Sequence, residues 1–107
     1  MAREQFQTLT EPMYYILLAL LEECCGVDIM EKVKKISKGR VKVGPGTLYA
    51  MLPRFVEAGM ICLTAEAGRR KSYRITEKGR QMLQEEYIRL TVLVEDARDY
   101  FTEVSAH

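Results

Sequence analysis

Apolar residues near the start of the chain recur with the period of an α-helix. Six of them fall on one helical stripe: Met13, Ile16, Leu17, Leu20, Leu21 and Cys24. Thr10 is a suitable N-cap and Pro12 suits a first turn, so the pattern predicts a helix that begins after Thr10 and runs to about Cys24. Its other faces are also apolar, through Tyr14, Tyr15, Leu18 and Ala19. Such a helix is expected to be buried on more than one side.

Two further helices follow in the basic part of the chain. Asp28 is suited to begin the second, whose apolar face carries Ile29, Val33 and Ile36 and which is expected to stop near Gly39. A short extended segment at 40–43 then leads to Pro45, which fits the first turn of a third helix. The third helix should end at Gly59, and its apolar face consists of Leu48, Met51, Leu52, Phe55 and Val56.

From Ile61 to Ile75 the apolar period changes from that of a helix to two. The alternating apolar residues Ile61 and Leu63 are matched by Tyr73 and Ile75 in a second run, which predicts a hairpin that turns at 66–68. Thr76 is suited to cap a last helix. This order is that of a winged helix-turn-helix domain with one helix appended. We predict a mainly α fold with a small β-hairpin, in which residues 1–76 form the winged-helix domain and residues 77–107 a long C-terminal dimerisation helix.

The last helix carries apolar residues at alternating spacings of four and three, as coiled coils do: Leu83, Tyr87, Leu90, Val94, Ala97, Phe101 and Val104. A helix from about Thr76 to Val104 would be roughly 40 Å long, more than the width of the domain, so part of it should project. The alternative is that the stripe packs onto its own domain. We predict a homodimer instead, in which this stripe covers the second apolar side of the first helix. The dimerisation residues predicted on the first helix are Met13, Tyr14, Leu17 and Leu18.

The net charge of +1 conceals a strong division along the chain. Residues 32–80 contain thirteen Lys or Arg and three Glu, a balance of +10, whereas the remainder has a balance of −9. A basic centre favours a polyanionic partner, and residues 1–76 then form a DNA-binding domain. Candidate contacts lie around the third helix and on the hairpin: Lys38, Lys42, Thr47, Tyr49, Ala50, Arg54, Arg69, Arg70, Lys71 and Tyr73. A solvated basic face, or a winged-helix module that binds a protein rather than DNA, remains the alternative.

Other classes of function find little support in the sequence. The longest apolar run, residues 13–21, is too short to span a membrane, and the N-terminus does not resemble a signal peptide, so we expect a cytoplasmic protein without a membrane partner. The one histidine is His107 and no metal-ligand or nucleophile–base spacing is present, so we expect neither an enzyme nor a cofactor or metal. Cys24, Cys25 and Cys62 are interpreted as reduced thiols, with redox sensing as the alternative.

Four blocks in order resemble the PadR family of bacterial transcriptional regulators, over nearly the whole chain. They are MYYILLAL at 13–20, GTLY at 46–49, EAGMI at 57–61 and GRRKSYRITEKG at 68–79. The resemblance implies a dimeric winged-helix repressor whose first and last helices form the dimer contact. It also places Tyr49 and Lys71 at the DNA face. In related proteins a phenolic compound or a toxic drug commonly relieves repression.

The chain departs from the family pattern in three respects. The usual His-Gly-Tyr at the start of the second helix is replaced by Cys25-Gly26-Val27, Pro53 lies inside the third helix, where it is expected to bend or shorten it, and tryptophan is absent. We therefore carry over no stacking site built from tryptophan. A small aromatic or drug-like effector remains a hypothesis, with plain interface packing as its alternative, at a seam lined by Phe6, Met13, Tyr14, Tyr15 and Phe101. The expected DNA partner is a double-stranded, pseudo-palindromic operator.

Overall fold

The computed structural model describes residues 8–101 of the 107-residue chain. Within this range the elements are α1 (Glu11–Ala19), β1 (Cys24–Cys25), α2 (Gly26–Ile36), α3 (Pro45–Glu57), β2 (Ile61–Ala67), β3 (Arg70–Ile75), α4 (Glu77–Ala97) and a 3₁₀ turn (Arg98–Tyr100). This order confirms the predicted mainly helical fold with a winged helix and an appended last helix. It adds one strand, β1, that the hydrophobic pattern does not reveal.

Helix α1 begins as its sequence predicts but ends earlier. The Thr10 hydroxyl accepts a hydrogen bond from the Met13 amide at 3.3 Å, and the Thr10 amide donates to the Met13 sulfur at 3.4 Å. The predicted end near Cys24 is wrong, because the helix stops at Ala19. Cys24 and Cys25 instead pair with Tyr73 and Ser72 of β3. A two-residue strand has no periodicity of its own, and Cys24 matches the helical stripe by coincidence.

The sheet has the antiparallel order β1-β3-β2. Ile61 lies opposite Ile75 and Leu63 opposite Tyr73, as the alternating pattern predicts, and a bulge follows between Leu63 and Ala65. The predicted turn at 66–68 is displaced, because residues 66 and 67 are still paired with 71 and 70. The loop is therefore the two residues 68–69, where Gly68 has a φ of +62°. A positive φ at the first of two loop residues suits the right-handed twist of a hairpin.

One hydrophobic core joins the first three helices to the sheet. Its fully buried side chains come from the first three helices, the start of β2 and the residues beside them: Ile16, Leu17, Leu20, Ile29, Val33, Leu48, Leu52, Phe55, Met60 and Ile61. Helix α2 ends at Ile36, and the Gly39 amide closes its last turn on the Lys34 carbonyl at 2.7 Å. The segment at 40–43 forms no strand, although Val41 and Val43 are buried.

Helix α4 joins the hairpin directly. Thr76 caps it by accepting from the Gly79 amide at 3.0 Å, and the same hydroxyl donates to the Gly59 carbonyl at 2.6 Å. Gly79 and Leu83 are buried against the domain, so the first two turns belong to the core. The predicted extension to Val104 is wrong for the part that is described, since the helix ends at Ala97 and a 3₁₀ turn follows. Val104 itself lies outside the described residues.

Candidate nucleic-acid interface

Helix α3 divides into a buried and an exposed face. Leu48, Leu52 and Phe55 are at most 1% exposed, whereas four predicted DNA contacts lie on the solvent side: Thr47, Tyr49, Ala50 and Arg54. Pro53 does not shorten the helix, which continues to Glu57. Its missing amide removes the bond that the Tyr49 carbonyl would otherwise accept. The helix thus presents a polar face in the position of a recognition helix.

The hairpin carries its positive charge at the tip. Arg69 is in the two-residue loop, and Arg70 and Lys71 begin β3, all three with exposed side chains. The Lys71 ammonium is 4.0 Å from the Glu66 carboxylate, and both side chains are about half exposed. An exposed ion pair of this length adds little stability, so Lys71 is not held by a strong internal partner.

A cleft of about 490 Å³ separates α3 from the hairpin. Leu52, Pro53 and Cys25 contribute apolar surface to it, and the cations of the hairpin tip line the same cleft. Five predicted DNA contacts are brought together here: Tyr49, Arg69, Arg70, Lys71 and Tyr73. The cleft therefore joins an apolar surface to three positive charges, on the side of the domain that carries the exposed face of α3.

The other five residues that line the cleft were not among the predicted DNA contacts: Cys25, Gly26, Val27, Leu52 and Pro53. Gly26 and Val27, at the start of α2, line it beside Tyr49. Val27 also lines a neighbouring cavity of about 350 Å³ together with Lys42 and Lys34. The only sequence signal for this position was the Cys25-Gly26-Val27 departure, which has no charge or aromatic group to draw attention to it.

The other predicted DNA contacts lie outside the cleft. Thr47, Ala50 and Arg54 are on the exposed face of α3 but do not line the cleft, and Lys42 lines the neighbouring cavity. Lys38 follows α2 with a φ of +56°, which is uncommon for a residue other than glycine, and its side chain is exposed. These five positions extend the candidate surface rather than forming part of its concave centre.

The second half of α4 exposes large apolar side chains on several sides. Among the predicted dimerisation residues Tyr87, Val94 and Phe101 are 60–65% exposed and Leu90 is 37% exposed, while Ala97 is partly buried. Three further apolar residues on α4, Ile88, Val92 and Leu93, are 51–54% exposed and were missed by the heptad pattern because they lie outside it. No element in the described part of the chain covers this surface.

The predicted dimerisation residues on α1 and at the start of α4 are placed differently. Met13, Leu17 and Leu83 are at most 9% exposed and belong to the core of their own subunit. They offer little surface to a second copy. Tyr14 and Leu18 are half-buried and lie at the edge of the core. The available apolar surface is therefore concentrated on the later turns of α4.

A groove of about 300 Å³ lies between the start of α1 and the middle of α4. Tyr14 and Tyr15 line it, with their ring centroids 6.0 Å apart in an edge-to-face arrangement. The other lining residues are Leu9, Thr10, Glu11, Glu86 and Leu90. Burial, assisted by the nearby Tyr87, raises the pKa of Tyr14. Of the other predicted effector contacts, Met13 and Phe101 do not line the groove and Phe6 lies outside the described residues.

Glu86 is a buried acid on the wall of this groove. Its two oxygens accept from the Arg89 guanidinium at 2.7 and 2.9 Å, and one also accepts from the Leu9 amide at 3.2 Å. The hydrogen bond from Arg89 is the main reason that the pKa of Glu86 is lowered, although its burial opposes this. An ionised Glu86 thus ties the residues before α1 to α4.

Arg40 connects the loop before α3 to helix α1. Its guanidinium donates to the Glu11 carboxylate at 2.9 Å and to the Tyr15 hydroxyl at 2.7 Å, and lies 5.9 Å from the centroid of the Tyr15 ring. The hydrogen bond to Glu11 is the main cause of a raised pKa of Arg40. Glu11 and Tyr15 both line the groove between α1 and α4, so the groove and the loop share two side chains.

The three cysteines are free thiols. Burial raises the pKa of Cys24, which disfavours its reactive thiolate, and the Cys25 thiol donates to the Asp28 carboxylate at 3.3 Å. No group of metal-ligating side chains occurs among residues 8–101. Over the same residues, none of the helices combines the length and the apolar character that a membrane span needs.

Comparison with known proteins agrees with this arrangement. The sequence model of the Transcriptional regulator PadR-like family matches residues 16–85. The chain belongs to the PadR-like family. Its members are transcriptional regulators that bind DNA, a class of protein that is generally not enzymatic. No curated protein sequence is significantly similar to the chain.

Solved structures of PadR-like and related proteins share the fold. A PadR-like transcription factor from Bacteroides fragilis is 28% identical, with a TM-score of 0.68 over 92% of this chain and 96% of that one. A transcriptional regulator from Clostridium thermocellum has a TM-score of 0.69 at 16% identity, over 92% of this chain and 98% of that one. RosR from H. salinarum, solved as a complex, has a TM-score of 0.67 at 24% identity, over 98% of this chain and 92% of that one. The predicted PadR resemblance and winged-helix fold are confirmed.

Proposed function

We propose that this PadR-like protein is a homodimeric, sequence-specific DNA-binding repressor that a small molecule releases from its operator. The observation that carries the proposal is the joining of the exposed face of α3 and the cationic hairpin tip around one cleft. In winged-helix proteins the third helix enters the major groove, and contacts to phosphates supply most of the affinity. Tyr49, Arg69, Arg70 and Lys71 are the contacts we assign first.

The dimer is inferred from the uncovered side of α4. Eight large apolar and aromatic residues from Tyr87 to Phe101 are more than a third exposed, and contiguous apolar surface of this kind marks an interaction site. A second copy supplies the same apolar surface, and two-fold pairing lets each subunit cover the other. Two copies of α3 would then face successive major grooves, which makes a pseudo-palindromic operator the expected target.

An effector is assigned to the groove between α1 and α4, where the two Tyr rings, Leu9 and Leu90 face one buried acid. Aromatic and aliphatic walls with few polar groups suit a small aromatic or drug-like molecule. Arg40 offers a route from this groove to the loop before α3, through Glu11 and Tyr15. A panel of phenolic and cationic aromatic compounds that shifts neither the melting temperature nor the DNA affinity would exclude the effector.

Selection of bound duplexes from a random pool is the first test of the DNA proposal. It should return a pseudo-palindrome with half-sites about one helical turn apart. Recovery of no consensus would contradict sequence-specific binding. A winged-helix module that binds a protein instead predicts negligible, salt-insensitive retention of DNA.

A salt series then tests which cations meet phosphates. Arg70→Ala should weaken binding across all sequences and lower the slope of log affinity against log salt by about 0.9 for each phosphate contact removed. Arg98→Ala is the matched control, because Arg98 is also an exposed arginine but lies beyond α4, paired with Glu95. Equal effects of the two substitutions would refute the assignment of the hairpin tip to DNA.

A further inference from the structure

The ring of Tyr49 lies against the backbone of Gly26. A β-carbon built at Gly26 would stand 2.5 Å from the Tyr49 hydroxyl oxygen, 2.9 Å from its Cε1 and 3.0 Å from its Cζ. Real β-carbons essentially never make contacts under 3.0 Å. The edge of the Tyr49 ring therefore occupies the space that any side chain at position 26 would need.

We propose that Gly26 is a positioning residue for DNA binding: its missing side chain lets Tyr49 lie over the first turn of α2, at the wall of the cleft. Tyr49 is 51% exposed and is held from one side by this contact. A larger residue at position 26 displaces the ring. The inference rests on the proposed DNA-binding function and adds to it a residue that makes no base or phosphate contact of its own.

The backbone at Gly26 does not itself require glycine. The glycines with positive φ are Gly39, Gly59 and Gly68, whereas Gly26 begins α2 without one. Alanine is a better helix former than glycine, so Gly26→Ala should not destabilise α2 through its backbone conformation. The atoms in its way are at the far end of a half-exposed side chain, which can rotate toward solvent. Space for Tyr49 is thus the reason that position 26 needs a glycine.

The displaced ring changes the surface that a duplex would meet. Gly26 and Tyr49 line the same cleft as Arg69, Arg70 and Lys71, so the ring lies among the cations of the hairpin tip. Moving it alters the shape of the cleft but removes no charge. The specific affinity should fall, whereas the electrostatic part of binding should stay.

The contact is tested first without DNA. In the free protein, NMR should show a nuclear Overhauser effect between the Tyr49 ring protons and the Gly26 α-protons. Gly26→Ala should shift the Tyr49 ring signals and leave those of Tyr100, which is 82% exposed beyond α4, in place. Absence of the Overhauser effect, or unshifted Tyr49 signals in the variant, overturns the inference.

A double-mutant cycle on the selected operator tests the consequence. Gly26→Ala should weaken binding roughly tenfold, the size typical of losing one specific contact, with an unchanged salt slope and a melting temperature at least equal to that of the wild type. In a Tyr49→Ala background it should cause no further loss. Equal weakening in both backgrounds, or no weakening in either, overturns the inference. A wild-type protein that shows the NMR contact but ignores duplex DNA refutes the proposed function and leaves the placing of Tyr49 by Gly26 supported.

Discussion

Removing apolar surface from α4 should separate the proposed dimer into subunits without unfolding them. Leu90→Ala/Val94→Ala is the chosen variant, since Leu90 is 37% and Val94 65% exposed in the subunit. The two exposed fractions together amount to about one whole aliphatic side chain. Burying one such side chain stabilises by about 1.5–3 kcal/mol, and two-fold symmetry counts it twice, which gives about 3–6 kcal/mol per dimer.

Alanine keeps the β-carbon, so the expected loss is about two thirds of that figure. About 2–4 kcal/mol corresponds to a dimer dissociation constant raised roughly 30- to 700-fold. Sedimentation equilibrium over a concentration series measures this constant directly. The circular dichroism of the separated subunits should keep its helical signal, because the core residues of each subunit are untouched.

Val27→Ala is the matched control for this prediction. Val27 is 61% exposed, close to the value for Val94, but it lies at the start of α2 beside the cleft. Val27→Ala removes the same two methyl groups as the Val94→Ala substitution does, but from a surface outside the proposed dimer contact. If both variants dissociate like the wild type, or if Val27→Ala dissociates as much as the α4 variant, the assignment of α4 to the dimer is refuted.

Three further predictions concern the way α4 is attached to the domain. Gly79→Ala should lower the free energy of unfolding in urea by about 1–3 kcal/mol, since the added β-carbon would meet the Met60 carbonyl. Gly46→Ala is the control: its β-carbon would meet no neighbouring atom within 4 Å, so the variant should show only the gain in helix propensity. Thr76→Ala should cost about 1–2 kcal/mol through the lost cap, and a melting temperature equal to that of the wild type would contradict the role of its hydroxyl. Because the pKa of Glu86 is lowered in the folded state, its contribution is present at neutral pH and lost as the pH falls below the ordinary carboxyl range. Glu86→Gln should therefore flatten the acid limb of stability against pH, and an unchanged limb would argue against it.

The helices and the hairpin are predictable because their signals are local and repeated. Ile61 and Leu63 do face Ile75 and Tyr73, and Thr76 does cap α4. Strand β1 is different, because two residues carry no period and the pairing of Cys24 depends on β3, 49 residues further along. The end of α1 was misplaced for the same reason.

The candidate site was predictable in its charges but not in its shape. Lysine and arginine residues can be identified directly in a sequence, and the cations of the hairpin tip do line one cleft. Gly26 carries no such signal, since its importance lies in the space it leaves for Tyr49, which is 23 residues away. The missing side chain becomes informative only when the packing of α3 on α2 is known.

The attachment of α4 has a further consequence for the operator. A single residue, Thr76, separates β3 from α4, and its hydroxyl is bonded on both sides. No flexible linker is present there that would let the winged-helix domain rotate relative to α4, the helix of the proposed dimer contact. The phasing of the two half-sites should therefore be rigid: inserting about 5 bp, half a turn of B-DNA, between them would put the second half-site on the opposite side of the duplex and reduce binding to that of a single half-site.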